Sequence, residues 1–188
     1  MGIFSFIKSS WLFIVLAVIA FLLIGLSLFF PEQKSQPSPT PKTQAQSWNK
    51  ITPGKTSFDE VKEKLGEPIE TRQRQSQTIL FYPSESESLN HEVVISQNTV
   101  GFIKEQVIGD TRKLSYYVNQ FGEPKAKLYG PYAASGYLLN IFPENGIAIL
   151  AHADHGLVFE NWYFEPTTLE DFLQKWGQGL SENPPQQL

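Results

Sequence analysis

Cysteine is absent from all 188 residues, methionine occurs once and histidine three times. Without cysteine the chain has no disulfide framework, no zinc ribbon and no N-terminal cysteine for lipid attachment. Charge is also sparse. Charged residues make up 18% of the chain and the net charge is −4. A dedicated nucleic-acid binder usually carries a basic face, so this balance argues against that class. Glycine-rich phosphate loops are missing. Ser135 lies in Ala133-Ala134-Ser135-Gly136, which lacks the pattern around a nucleophile elbow. Glu85 and Glu87 are paired acids in a Pro- and Ser-rich loop, a solvated setting rather than a catalytic one. No catalytic residue, metal or cofactor is expected from the sequence.

What the chain does contain is unevenly spread. Eighteen of the twenty residues in Trp11–Phe30 are hydrophobic. At about 1.5 Å per residue this run would span roughly 30 Å, the thickness of a bilayer core. It exceeds the usual apolar stretch of a cleaved signal peptide, and no small-residue cleavage site follows closely. The sequence therefore predicts a short tail over 1–10 and a transmembrane helix over 11–30. It predicts a single-pass signal anchor in the cell membrane with the N-terminus cytoplasmic and the C-terminal domain extracytoplasmic. The lipid bilayer is the first expected partner, through residues 11–30. Residues 31–47 hold four prolines among Gln, Ser, Thr and Lys. They cannot bury a core and predict an extended linker of at most about 50 Å.

Residues 48–188 carry 12 Lys and Arg against 18 Asp and Glu, so this part is more acidic than the whole. Three segments share one helix grammar. In Thr56–Pro68, Ser57 and Glu60 have capping-box spacing, and Phe58, Val61 and Leu65 recur on one face. In Asp110–Pro124, Asp110 is placed to cap, and Leu114, Tyr117, Val118 and Phe121 form the stripe. In Thr167–Gly177, Thr168 and Asp171 repeat the box with a shorter acid, and Leu169, Phe172, Leu173 and Trp176 face inward. Gly66, Gly122 and Gly177 stop these helices at intervals of 56 and 55 residues, which implies a duplication plus a closing helix.

Between the helices the apolar period shifts toward two. Strands are predicted over 79–82, 91–96 and 100–107, then over 125–129, 136–142, 146–152 and 157–164. Short turns at Gln97-Asn98, Glu144-Asn145-Gly146 and Asp154-His155-Gly156 imply antiparallel pairing. The expected fold class is α+β. A transmembrane helix precedes two tandem helix-plus-meander units, 48–109 and 110–177, with the helices on one face of the sheet and a flexible tail over 178–188.

The run Ile51-Thr52-Pro53-Gly54-Lys55-Thr56, followed by Val61 and by Leu65-Gly66-Glu67-Pro68, resembles the start of the SmpA/OmlA (BamE-like) small-lipoprotein family. That family belongs with β-lactamase-inhibitor-like folds. The resemblance covers about 18 residues, and its helix–Gly-Glu-Pro part recurs at Phe121-Gly122-Glu123-Pro124. It implies a bacterial envelope setting, a non-catalytic role and a concave sheet that binds other proteins. The chain departs from the family in lacking the lipid-attachment cysteine, in carrying Lys55 where methionine is common, and in lacking a Pro-Gly turn before its second helix.

The functional expectation is a membrane-anchored, extracytoplasmic module that binds an unidentified envelope protein. Tyr and Trp dominate binding hot spots. Tyr82, Tyr129, Tyr132, Tyr137 and Trp162, on strands and one loop, are the candidate contact residues. A cell-wall glycan-binding module is the alternative, with exposed rings stacking on sugars. A metal-dependent hydrolase using His152, Asp154 and His155 is a third reading, set against an ordinary hairpin tip.

Overall fold

Each helix stops at a glycine, and two of the three start at a side-chain cap. The computed structural model describes residues 45–107 and 112–184, which belong to one unit, Lys42–Leu188. Helix α1 spans Phe58–Leu65 and is opened by the full capping box. The Glu60 N–H donates to Ser57 Oγ, and the Ser57 N–H donates to Glu60 Oε2 at 2.8 Å. Helix α2 spans Leu114–Phe121 and begins at Lys113, with no side-chain cap. The expected cap, Asp110, lies outside the described residues. Helix α3 spans Leu169–Trp176, and the Asp171 N–H donates to Thr168 Oγ1 at 3.1 Å.

Eight strands lie between these helices: β1 (Glu70–Arg74), β2 (Gln77–Pro83), β3 (Asn90–Ser96), β4 (Thr99–Gln106), β5 (Ala126–Tyr129), β6 (Tyr137–Phe142), β7 (Ile147–His152) and β8 (Val158–Phe164). They form one antiparallel sheet in the order β1-β2-β3-β4-β8-β7-β6-β5. The two meanders join at β4 and β8, where Phe102 opposes Phe164 and Ile103 opposes Tyr163.

The expected fold class needs correction on three points. The two helix-meander units are merged into one continuous eight-stranded antiparallel sheet with three helices among the described residues. The helices do not share a face. Successive strand residues point to opposite sides, so Ile103 and Tyr163 look one way and Phe102 and Phe164 the other. Val61 of α1 and Tyr117 of α2 join the cluster of Leu80, Val93, Ile103, Ile149 and Tyr163 on the first side. Phe172 of α3 joins Phe102, Leu139, Ile141, Leu150 and Phe164 on the second. Third, no helix among the described residues is long and apolar enough to cross a membrane. The transmembrane helix, signal anchor and single-pass topology expected over 11–30 therefore find no support, since those residues lie outside the described ones.

The two halves repeat the same contacts. The backbones of Ser57 and Thr99 bridge ahead of α1, and those of Lys113 and Leu157 ahead of α2. The Gly66 N–H donates to Lys62 O and the Gly122 N–H to Val118 O, both at 2.8 Å. A register shift falls between Val94 and Ile95 in the first half and between Leu150 and Ala151 in the second, 56 residues on. Strand β1 went unread in the sequence. It is ETRQR, exposed throughout, and carries no alternation to detect.

Candidate interaction surface

The sheet brings together only some of the candidate residues. Tyr82 is 4% exposed, packs in the α1-side core and donates its hydroxyl to Gly66 O at 3.3 Å. It has no surface to offer. Tyr129 is half-buried on edge strand β5, where its backbone pairs with Ser181 in both directions at 2.7 and 2.9 Å. Trp162 lies at the centre of the sheet on the α3 side. Its ring meets Phe102 edge-on at 5.5 Å, and its indole N–H donates to Glu160 Oε2 at 2.7 Å.

Tyr132 and Tyr137 do converge. Phe159, at the start of β8, links them. Its ring centroid is 5.3 Å from Tyr132, close to perpendicular, and 5.2 Å from Tyr137. Tyr137 meets His152 edge-on at 5.2 Å, and His152 stacks on His155 at 4.0 Å with the planes 8° apart. Five rings thus form a continuous ridge across the ends of β6, β7 and β8. Such edge-to-face pairs each add about 0.5–1.5 kcal/mol beyond area burial. The ridge is therefore held in shape. Tyr132 is 36% exposed, and Leu157, two residues before Phe159 in the chain, is 40% exposed. These are two of the four large apolar side chains exposed among the described residues.

Local backbone chemistry places the histidines. Gly156, at φ +69°, closes the hairpin after His155, and its N–H donates to His152 O at 2.8 Å. The Asp154 N–H donates to His152 Nδ1 at 3.2 Å, so that nitrogen is already occupied. Parallel imidazoles keep their lone pairs in parallel planes, whereas zinc needs them to converge at about 2.0–2.1 Å. No group of three or more metal-ligating side chains occurs among the described residues. The arrangement is a hairpin tip carrying a stacked histidine pair.

Phe159 and the ring role of the histidines were missed in the sequence. Phe159 sits where β8 departs from strict alternation, opposite the Leu150/Ala151 shift, so period-two counting assigns it to the wrong side.

Two buried polar networks flank the sheet centre. On the α3 side Glu160 is 2% exposed and accepts from Gln106 Nε2 at 3.2 Å as well as from Trp162. On the other side Glu105 accepts from the Tyr163 hydroxyl at 2.6 Å and from Asn161 Nδ2 at 2.9 Å. Burial, with the Glu105 carboxylate beside it, pushes the Tyr163 phenol well above its ordinary range. Both carboxylates are held by donors within the sheet, which suits them to fixing strand register.

No protein-family profile and no curated protein matches the chain. Among solved structures it is similar to a DUF4309 family protein from Bacillus subtilis, with TM-score 0.46 and 13% identity over 66% of this chain and 88% of that one. It is also similar to a cysteine-rich secretory protein from Staphylococcus aureus, with TM-score 0.42 and 8% identity over 69% of this chain and 50% of that one. The chain thus spans half the length of the Staphylococcus protein. Neither is from the SmpA/OmlA family, and likenesses this distant carry no argument about function.

Proposed function

We propose that the domain is a protein-binding module with no chemistry of its own, and that the partner seats on the ridge formed by Tyr132, Phe159, Tyr137, His152 and His155. The observation behind this reading is the coincidence of exposure and rigidity. Aromatic side chains lose little conformational freedom on binding when their neighbours already hold them. Amphipathic rings such as Tyr and His also present an apolar body with a polar tip, which suits a surface alternately wet and covered.

Site-specific photo-crosslinking in cells tests the reading. A photoreactive phenylalanine at Tyr132 is expected to capture one discrete partner. The same probe at Tyr116, which is 53% exposed on α2, is the control and captures nothing discrete. Phe159→Ala removes the ring that props both tyrosines, so the Tyr132 adduct should fall at least tenfold while the protein stays folded by circular dichroism. Equal adducts at both positions, or an adduct indifferent to Phe159, would overturn the proposal.

A further inference from the structure

At the opposite end of β8 from the ridge, a cleft of about 400 Å³ opens between the β3–β4 hairpin, the segment Glu165–Thr167 ahead of α3 and the last turn of α3. Phe159 and Glu165 are six residues apart, so the two places are separated by about 20 Å of extended strand. Trp176 lines the cleft. Its indole stacks on Phe102 at 4.7 Å, with the ring planes 29° apart, so it is held as a fixed plate. Around it stand Gln77, Ser96, Gln97, Thr99 and Lys175. None of these five side chains makes a hydrogen bond to another of the described residues. The wall is fixed by the backbone. The Gly54 N–H donates to Val100 O at 2.7 Å, and Gly54, at φ +76°, lies so close to Glu165 that a Cβ would come within 2.9 Å of its carboxyl carbon.

We infer that this cleft binds a short neutral oligosaccharide. Two primary amides and two hydroxyls supply both donors and acceptors, which is what a ligand made of hydroxyl groups requires. A planar ring with one side already packed offers a platform for the apolar face of a sugar ring. Lys175 and Glu165 carry opposite signs, so the lining does not select for a charged ligand. The volume falls within the range of about 300–1,000 Å³ over which small-molecule sites occur. This site stands apart from the proposed protein contact and does not depend on it.

The test is a ¹H–¹⁵N titration of the full-length chain with cellotetraose, chitotetraose and mannotetraose in turn. At least one probe is expected to give saturable shifts at the Trp176 indole N–H and at the side-chain amides of Gln77 and Gln97. The Gln77→Ala/Gln97→Asn pair should weaken that probe at least tenfold without moving the amide spectrum of β5–β7. Asn is chosen at 97 because the backbone there lies at φ +48°, a conformation Asn tolerates. Tyr132→Ala should leave the affinity unchanged, which keeps this result separate from that of the ridge. No saturable shift with any of the three probes overturns the inference. So do shifts centred on Tyr132 and Phe159, or binding indifferent to the double variant.

Discussion

The two edges of the sheet come from equivalent strands, yet they are finished in different ways. In the first half no described residue pairs with the outer backbone of β1, and its five residues are all exposed. An open edge invites pairing with another chain unless charge discourages it. Here Glu70, Arg72 and Arg74 point to one side of the strand, and Arg72 also lies over the Phe81 ring at 4.6 Å. In the second half β5 is apolar at Leu128 and is covered instead. The chain beyond α3 returns so that Ser181 pairs with Tyr129. One half guards its edge with side chains and the other with backbone. The same sheet therefore tolerates an all-polar strand on one side and needs a closing helix and tail on the other.

Removing the anchor of that closing helix should break the comparison most. Phe172 is fully buried against Phe164, with ring centroids 4.7 Å apart. Phe172→Ala should cost about 3–5 kcal/mol in urea unfolding, and hydrogen exchange should rise first at Tyr129 and in β5. Exchange at β1 should stay as it is. If β1 and β5 lose protection together, α3 is not a device of the second half alone.

The helix stops test whether the halves are equivalent where they look it. Gly66 has φ 80° and ψ −164°, and Gly122 has φ 82° and ψ −167°. Only glycine adopts this region readily, and other residues pay about 1–3 kcal/mol. Nothing lies within 4 Å of a Cβ built at either position. Gly66→Ala and Gly122→Ala should therefore destabilise by equal amounts, from backbone conformation alone. A difference above about 1 kcal/mol would show that the surrounding loops, not the stop itself, set the cost.

These positions also mark how far the sequence could be read. The helices were legible because an apolar stripe and a glycine stop, with a side-chain cap at α1 and α3, are local features. The strand pairs with tight turns were legible for the same reason, since Gln97 and Asn98 both take the positive φ that a two-residue hairpin requires. The side of the sheet on which α3 packs was not legible. Its stripe of Leu169, Phe172, Leu173 and Trp176 is as apolar as that of α2, and only the order of strands decides which face is vacant. The same limit applied to the tyrosines. Tyr82 and Tyr137 both sit on strands among apolar neighbours, but one lies under α1 and the other at an open end.

The helix starts offer a smaller and reciprocal test. α1 has a complete capping box, while Lys113 at the start of α2 makes no side-chain cap bond. Ser57→Ala should cost about 1 kcal/mol, and Lys113→Ser should gain a comparable amount by supplying the missing acceptor. If Lys113→Ser is neutral, the α2 start is already satisfied in another way.

The smallest expected difference is one of pH. By register His91 in β3 corresponds to Ile147 in β7, since Glu92 opposes Lys104 where Ala148 opposes Trp162. His91 Nδ1 accepts the Gln106 N–H at 3.0 Å, and Trp48 lies over the ring at 4.8 Å. Burial holds the imidazole below its ordinary 6.5, against the opposing pull of Glu105 and then Glu85. The unfolded chain therefore takes up this proton first as pH falls. Stability should be constant above about 7 and should decline from the ordinary value of 6.5 downward, by at most about 1.4 kcal/mol per pH unit for one proton. The carboxylate of Glu60, lowered chiefly by the Ser57 backbone hydrogen bond, contributes in the same direction only below 4.5. The two windows are thus separable. His91→Gln keeps an acceptor for Gln106 and removes the titration, so the unfolding midpoint of that variant should be flat between pH 7 and 5. A decline that persists in the variant would assign the pH dependence to groups outside the first half's core.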